Sequence, residues 1–179
     1  MINIVLAKKN NKLETLNKEL GFTKTTFLDN IMLINAKTKK ELLKNSKETR
    51  GKLAVYKPET EDMLRFALEK TPINVVYGLE QIHPKDSVHF VRGGLDQILC
   101  KIAATNGKTI AFSFSDILNS SEKGNLLARM MFNIALCRKY NVKMFFGTFA
   151  KDEYELRSAS DLFSFWKVLG GTNKNCFIM

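Results

Sequence analysis

The sequence predicts an α/β fold in which about seven short strands alternate with helices. Short apolar runs alternate with longer segments whose apolar residues recur at helical spacing. In addition, residues 88–118 are predicted to form a complete strand–helix–strand unit. Two strands joined by such a helix lie parallel, because parallel pairing needs a crossover of a dozen or more residues. A doubly wound sheet and a closed or nearly closed β/α barrel both meet this description, and periodicity does not choose between them.

The unit at residues 88–118 supplies the clearest pattern. The apolar run Val88–Val91 is predicted to be a strand, and Gly93-Gly94 ends it. The helix that follows has one apolar stripe, formed by Leu95, Ile98, Leu99, Ile102 and Ala103. Asn106-Gly107 ends this helix, and Thr109–Phe114 is predicted to be the next, buried strand.

The first part of the chain repeats the same alternation. Pro58 stands near the start of one predicted helix, whose acidic first turn suits the positive end of the helix dipole. The predicted strands in this part are Ile2–Leu6, Ile31–Ile34, Leu53–Tyr56 and Ile73–Tyr77. The predicted helices are Lys12–Leu20, Thr38–Ser46 and Glu59–Glu69.

A long helix is predicted after residue 118. Ser120 or Ser121 is expected to cap it, and the helical pattern continues to about Tyr140. On a wheel of about 100° per residue, most of its apolar residues share one face. Arg129 and Asn133 fall on the opposite side of the wheel, so both are expected to face solvent.

The last elements are a strand and a helix. Val142–Gly147 is predicted to be the seventh strand. Ser158 and Asp161 have the spacing of a capping box, and Gly170-Gly171 ends the helix that they begin. We therefore expect one domain over residues 1–170 and a short tail over residues 171–179, whose final residues form a tail or a short strand.

Composition points to a polyanionic partner. The formal net charge is +10, from 28 Lys and Arg against 18 Asp and Glu. A basic folded domain favours RNA or DNA as a partner, and an anionic membrane next. Lysines that only solvate the surface would give the same composition, and lysine content alone favours that interpretation.

The cysteines and the lengths of the apolar runs indicate in which cellular compartment the protein is expected. Cys100, Cys137 and Cys176 are far apart and belong to no metal-binding spacing, so we expect a reduced, cytoplasmic setting without disulfides or structural zinc. The apolar start of the chain is too short for a signal sequence. No apolar run approaches the roughly 20 residues of a membrane helix, so we expect a soluble, intracellular protein that does not span a membrane, and we predict no membrane among its partners.

Catalytic motifs are scarce. The glycine pair at residues 93–94 lacks the spacing of a nucleotide-binding loop. His83 is expected in a loop, and His89 is expected to be a packed or hydrogen-bonded strand residue. Glu80 and Asp116 follow predicted strands and could act as a carboxylate pair. A solvated or ion-paired Glu80 and a helix-capping Asp116 are the favoured interpretation.

Several segments of the second half resemble a known family. They are RGGLD (92–96), IAFSF (110–114), LAR (127–129), CRKYNV (137–142) and YELRS (154–158). Together they resemble the archaeal and eukaryotic family of ribonuclease P protein component 3. The resemblance covers residues 74–170 well, and the first 70 residues only in the order of strands and helices.

The resemblance implies a fold and a role. The fold is a seven-stranded, TIM-like β/α barrel related to the polymerase and histidinol phosphatase superfamily. The role is that of a subunit of ribonuclease P, the ribonucleoprotein that removes the 5′ leader from precursor tRNA. In that family the RNA, with bound magnesium, performs the hydrolysis, so this chain is expected to hold no catalytic residue, metal or cofactor. The implied partners are the ribonuclease P RNA, other protein subunits including a small α/β protein, and precursor tRNA through the complex.

Two alternatives stay open. The first is a metal-dependent phosphoesterase on the same barrel, although the paired histidines that begin metal-dependent relatives have no counterpart in residues 2–8. The second is a basic interaction module without RNA specificity. The chain also looks short at its C-terminus for the family, which puts contacts of a longer tail in doubt.

The candidate RNA-binding residues are basic. A protein that holds folded RNA needs Lys and Arg at phosphate spacing and no nucleophile of its own. Arg92 is the first candidate, because the two glycines beside it let backbone approach. The full set is Arg92, Lys101, Arg129, Lys151, Arg157, Lys57 and Lys37. Arg138, on the apolar face near a helix end, is expected to be structural.

Overall fold

A computed structural model describes residues 1–49 and 51–172. The strands are β1 (Ile2–Val5), β2 (Lys24–Phe27), β3 (Ile31–Ile34), β4 (Leu53–Tyr56), β5 (Val75–Tyr77), β6 (Thr109–Ser113) and β7 (Lys143–Gly147). The helices are α1 (Asn11–Glu19), α2 (Lys39–Lys47), α3 (Glu61–Lys70), α4 (Gln97–Thr105), α5 (Phe114–Asn119), α6 (Lys123–Lys139) and α7 (Ala159–Val168). Short 3₁₀ turns lie at Leu28–Asn30 and Leu79–Gln81.

The strands form two parallel sheets. β3, β4, β5, β6 and β7 lie side by side in chain order in a five-stranded sheet, and β1 pairs with β2 in a second sheet. Every strand pair in both sheets is parallel. The predicted α/β class with parallel strands is therefore confirmed. Hydrogen bonds among the described residues do not join all seven strands into one closed sheet.

The first strand lies against the chain that follows the last one. Val5 forms an isolated parallel bridge with Ala150, and the N–H of Leu6 donates to the carbonyl of Ala150 at 2.8 Å. The buried Asn3 adds a side-chain link, since its Oδ1 accepts from the backbone N–H of Thr148 at 3.0 Å and from Oγ1 of Thr148 at 2.9 Å. These contacts connect the two sheets at β1 and β7.

Apolar side chains pack on both faces of the strands. The larger cluster contains residues from both helices and strands, among them the fully buried Trp166 of α7 and Leu64 of α3. Of the two largest clusters, the smaller is made of residues that lie in or beside strands, namely Ile4, Ile31, Val55, Val75, Tyr77, Ala111, Phe145 and Phe149. A third cluster contains Val5, Leu13, Phe27, Ala150 and Leu156. Residues alternate between the two largest clusters, as a pleated strand requires: Val55 belongs to the smaller of them, and its neighbours Ala54 and Tyr56 to the larger.

Local capping explains why the predicted helices form. Thr38 and Glu41 make a reciprocal capping box at the start of α2. Asp96 caps α4 by accepting from the N–H of Leu99 at 2.7 Å, and Ser158 caps α7 by accepting from the N–H of Asp161 at 3.1 Å. The six predicted helices are thus confirmed, with shifts of a few residues at their ends.

Some predicted elements are wrong or were missed. In the described chain, residues 88–91 belong to an exposed loop between β5 and α4 rather than to a strand. The polar strand β2 and the short helix α5 were not predicted. Because α5 occupies residues 114–119, α6 begins only at Lys123, and neither Ser120 nor Ser121 caps it.

Both cysteines in the described part of the chain are free and buried, namely Cys100 and Cys137. Cys176 and most of the predicted tail lie outside the described residues. Among the helices of residues 1–49 and 51–172, none is long and apolar enough to cross a lipid bilayer.

Candidate functional site

Lys57 lies just beyond the carboxyl end of β4 and reaches the start of α5. Its Nζ lies 3.1 Å from Oδ2 of Asp116 and 5.5 Å from the centre of the Tyr77 ring. Ser113 caps α5 by accepting a hydrogen bond from the backbone N–H of Asp116 at 3.1 Å. The prediction that Asp116 is the helix cap is therefore wrong, and its carboxylate pairs with the lysine instead.

A cavity of about 430 Å³ opens beside this ion pair. Its walls come from the carboxyl ends of β3, β4 and β5 and include Asn35, Lys57, Tyr77 and Gln81. This is the edge at which parallel α/β folds carry their functional groups. Polar side chains thus line part of a concave surface at this edge.

Glu80 is fully buried behind this edge, which contradicts the prediction that solvent or an ion pair satisfies it. Neither carboxylate oxygen has a hydrogen-bond partner in another described residue. Burial raises the pKa of Glu80 to about 7, and the charge of Asp116 acts in the same direction, whereas Lys57 opposes it. A carboxylate in this position favours its neutral form.

Arg129 is buried, although the helical wheel places it on the solvent side. Its Nε donates to Oδ1 of Asp86 at 2.9 Å. Its Nη1 donates to the carbonyl of Glu80 at 3.0 Å and to that of His83 at 2.7 Å. Arg129 therefore fastens the loop after β5 onto helix α6, and it is removed from the set of RNA-binding candidates.

Asn133, one turn further along α6, is also buried rather than exposed. Its Nδ2 donates to the carbonyl of Gly93 at 2.6 Å. A Cβ at Gly93 would collide with the side chain of Asn133, and one at Gly94, where φ is +81°, would collide with the carbonyl of Leu79. These two glycines are therefore required by close packing of the loop.

We refer to the segment 87–92 of this loop as the loop tip, and all of its residues except the partly buried Ser87 and Val91 are exposed. Phe90 is 59% exposed and Val88 94%. His89 is exposed as well, so the prediction of a packed strand histidine is wrong. The guanidinium carbon of Arg92 lies 5.7 Å from the centre of the Phe90 ring. The predicted first candidate, Arg92, is thus accessible and sits beside an accessible aromatic ring.

Two predicted cations share the carboxyl edge with Lys57. Lys37 follows β3 and Lys151 follows β7, and both are exposed. The backbone N–H of Lys37 donates to Glu41 at 3.0 Å, and that of Lys151 donates to Glu155 at 2.7 Å. These bonds order the main chain and leave the lysine ammonium groups at the surface.

The remaining predicted cations lie elsewhere. Lys101 is exposed on α4, with its Nζ 5.9 Å from the centre of the Tyr140 ring. Arg157 is only partly exposed, and its Nη1 donates to the carbonyls of Tyr154 at 2.9 Å and Leu156 at 2.6 Å. Arg157 is thus partly used in holding its own loop. Arg138 donates to the carbonyl of Gly170 at 2.9 Å, a structural contact as expected.

The structure does not gather all seven candidates into one cluster. Lys37, Lys57 and Lys151 lie at strand ends, whereas Arg92 lies on the loop tip and Lys101 on α4. The residues that sequence reasoning missed are Phe90 and Asp86. Phe90 was missed because residues 88–91 were predicted to be a strand. The sequence offered one signal for Asp86, which is the single acid between residues 83 and 95.

The chain is similar in sequence to curated proteins that share one name. The chain is 35% identical over 79 residues to ribonuclease P protein component 3 of Methanosarcina mazei, covering 43% of this chain and 33% of that one. It is 26% identical over 136 residues to the protein of the same name from Methanococcus maripaludis, covering 74% and 56%. The predicted resemblance is confirmed. The chain spans between a third and about half of the length of these relatives, and no family model matches it.

Comparison with solved structures supports the fold. A chain of the cryo-EM structure of archaeal ribonuclease P with mature tRNA matches with a TM-score of 0.66 and 16% identity, over 95% of this chain and 73% of that one. An amidohydrolase crystal structure matches with a TM-score of 0.52 and 13% identity, over 88% and 40%. Within the described residues, no group of three or more His, Cys, Asp or Glu side chains is placed to hold a metal ion.

Proposed function

We propose that this chain is a protein component of ribonuclease P, which binds and supports the catalytic RNA during removal of the 5′ leader from precursor tRNA. The fold match to a chain of archaeal ribonuclease P, over 95% of the present chain, carries the proposal. The relatives named ribonuclease P protein component 3 and the net charge of +10 support it. In this assignment the RNA performs the hydrolysis with its own magnesium ions, and the protein acts in the cytoplasm.

We also propose that the two sheets are parts of one β/α barrel of seven strands. The bridge between Val5 and Ala150 supports closure between β1 and β7. The cluster of strand residues around Val55 and Phe145 supports it too, because side chains on the inner face of a barrel pack against one another. At the other junction, only the turn Leu28–Asn30 separates β2 from β3, which is too short for the two strands to pair in parallel. In this proposal the chain itself closes the barrel there, with β2 pairing to β1 and β3 pairing to β4.

The proposed RNA-binding surface contains the accessible cations. They are Lys37, Lys57 and Lys151 at the carboxyl edge, Arg92 on the loop tip and Lys101 on α4. Lys37, Lys101, Lys151 and Arg92 are exposed and can each neutralise a phosphate. Lys57 is only partly exposed and is already paired with Asp116 at 3.1 Å, so a phosphate there competes with that carboxylate. Arg157 contributes less because its guanidinium already serves backbone carbonyls. Other protein subunits, including a small α/β protein, complete the complex, and precursor tRNA is contacted through it.

Reconstitution tests the proposal. When the ribonuclease P RNA and the other subunits are mixed with or without this chain, leader removal at limiting magnesium is expected to depend on the chain. The physical reason is that cations on the protein stabilise the folded RNA when magnesium is scarce. Unchanged cleavage without the chain, at every magnesium concentration, would contradict the proposal, as would phosphodiester hydrolysis by the purified chain alone.

Replacement of exposed cations by glutamine gives a second prediction. The variant with Lys37, Arg92, Lys101 and Lys151 all changed is expected to lose about 3 from the slope of log affinity against log salt, since each phosphate contact contributes roughly 0.7 to 0.9. At low salt, RNA affinity should fall by about tenfold or more. Filter binding of the ribonuclease P RNA at several salt concentrations measures both quantities.

A matched control variant removes the same number of positive charges from a different part of the protein surface. Lys24, Lys44, Lys47 and Lys123 are exposed cations outside the proposed surface, and their fourfold glutamine variant should keep most of the salt slope. If both variants lose the same slope, the binding follows net charge alone, which is the behaviour of an unspecific basic module.

A further inference from the structure

The loop tip exposes apolar surface without being loosely held. The N–H of Ser87 donates to the carbonyl of Phe90 at 3.1 Å, which closes a tight turn. The N–H of Arg92 donates to Oδ1 of Asp86 at 2.7 Å, so the tip is tied to its own base. Val88 and Phe90 nevertheless remain 94% and 59% exposed. A large exposed side chain in an ordered turn suggests a contact surface.

The base of the tip is fixed by buried groups. Oδ1 of Asp86 also accepts from Arg129, whose side chain is only 8% exposed and which holds two loop carbonyls as well. At the other end of the loop, Asn133 holds the carbonyl of Gly93. Both ends of the tip are therefore anchored to buried side chains of α6, and anchoring of this kind lowers the entropy cost of binding.

The chemistry of the tip favours an anionic partner with flat faces. Asp86 is the single acid between residues 83 and 95, and Arg129 and the N–H of Arg92 already satisfy it. Lys85 and Arg92 therefore leave this loop positively charged. Phe90 stays accessible with the Arg92 guanidinium 5.7 Å from its ring centre. The guanidinium lies over the ring, which is still 59% exposed, so a nucleobase can stack on the accessible part of Phe90 while Arg92 meets its phosphate.

We propose that the loop tip is a stacking site for an unpaired nucleotide of RNA, in which Phe90 stacks on the base and Arg92 binds an adjacent phosphate. This inference rests on the proposed function and narrows it to single-stranded RNA at this position. A base inside a duplex is already stacked on both faces and is not available to Phe90. An apolar protein surface is the competing occupant, and the local positive charge argues against it.

The test compares two RNA probes on the full chain. One is a fluorescent oligouridylate of about ten nucleotides, a length within the range that single-strand binding proteins occupy, and the other is a blunt RNA duplex. Phe90→Ala is expected to weaken binding of the single strand by about tenfold, because the base loses the aromatic ring on which it stacks. Duplex affinity should stay the same, and Phe90→Trp should restore single-strand affinity.

Tyr154→Ala is the matched control, because Tyr154 is an aromatic residue that is 80% exposed and lies outside the loop tip. Single-strand affinity that is unchanged by Phe90→Ala would overturn the inference. An equal loss on both probes would also overturn it, since that pattern indicates charge rather than stacking. Weaker binding to the other protein subunits with unchanged RNA affinity would assign the tip to a protein partner.

The proposed function can fail separately from this inference. If the wild-type chain binds neither probe and also fails to bind ribonuclease P RNA, both proposals fall. If it binds ribonuclease P RNA and the duplex but not the single strand, only the stacking site falls. Urea unfolding of Phe90→Ala should match wild type, because the exposed ring contributes little to packing, so a change in RNA affinity is not an effect of misfolding.

Discussion

Replacing Glu80 by glutamine is expected to remove a large dependence of stability on pH. Glu80 is fully buried, and its oxygens have no hydrogen-bond partner in another described residue. Its pKa is raised from 4.5 to about 7, chiefly by burial. The unfolded chain releases this proton near its ordinary pKa, while the folded chain keeps it. The free energy of unfolding therefore falls as pH rises from about 4.5 to about 7, by roughly 3 kcal/mol.

Urea unfolding between pH 5 and pH 8 measures this effect. Relative to wild type, Glu80→Gln should gain about 2 to 3 kcal/mol of stability across that range, and the gain should level off above pH 7. Glu19→Gln serves as the control, since this side chain lies on the exposed side of α1 and solvent reaches it in both states. Parallel pH profiles for wild type and Glu80→Gln would show that the carboxyl is not held in its neutral form.

Replacing Arg129 by methionine is expected to destabilise the protein by about 3 kcal/mol. The change leaves Asp86 without its buried cation, and it leaves the carbonyls of Glu80 and His83 without a donor. Removing one partner of a buried ion pair costs about 3–5 kcal/mol. The value here belongs at the lower end, because the side chain of Asp86 is 27% exposed and can be rehydrated.

Arg138→Met is the matched control for Arg129→Met. Arg138 lies on the same helix, is exposed, and makes one hydrogen bond to the carbonyl of Gly170, so its loss should cost less than about 1 kcal/mol. Chemical denaturation compares the two variants. Limited proteolysis should also cleave the loop after β5 faster in Arg129→Met than in wild type. Equal stability of the two variants would contradict the role of Arg129 as a fastener of the loop.

The sequence predicted most of the framework because the determining signals are local. Capping residues such as Thr38, Asp96 and Ser158 lie next to the helices that they begin, and apolar periodicity identifies the buried stripes. The strand prediction at residues 88–91 failed because a four-residue apolar run carries little information on its own. The loop conformation of this segment depends on hydrogen bonds from Arg129 and Asn133, which lie about 40 residues later in the chain.

The candidate site was only partly predictable for a related reason. A helical wheel separates apolar from polar residues, and in α6 it correctly places Leu126, Met130, Ile134 and Cys137 on the buried side, whereas Met131 on the same predicted face is 47% exposed. It fails for Arg129 and Asn133, because a loop packs against the polar side of this helix and uses their hydrogen bonds. The prediction of a solvated or ion-paired Glu80 was wrong for a similar reason, since the burial of this side chain depends on neighbours distant in the chain. Accessible cations such as Arg92 and Lys101 were predictable because they need no such partner.

The position of the first strand has a consequence for how the chain acquires its structure. Asn3 finds its buried hydrogen-bonding partner in Thr148, 145 residues away. Ordering such distant segments requires a large loss of chain entropy before the contact contributes any stability. During synthesis the first strand can pair with β2 early, but its contacts with Thr148 and Ala150 form only after the seventh strand has left the ribosome, so the assembled scaffold is completed late in translation.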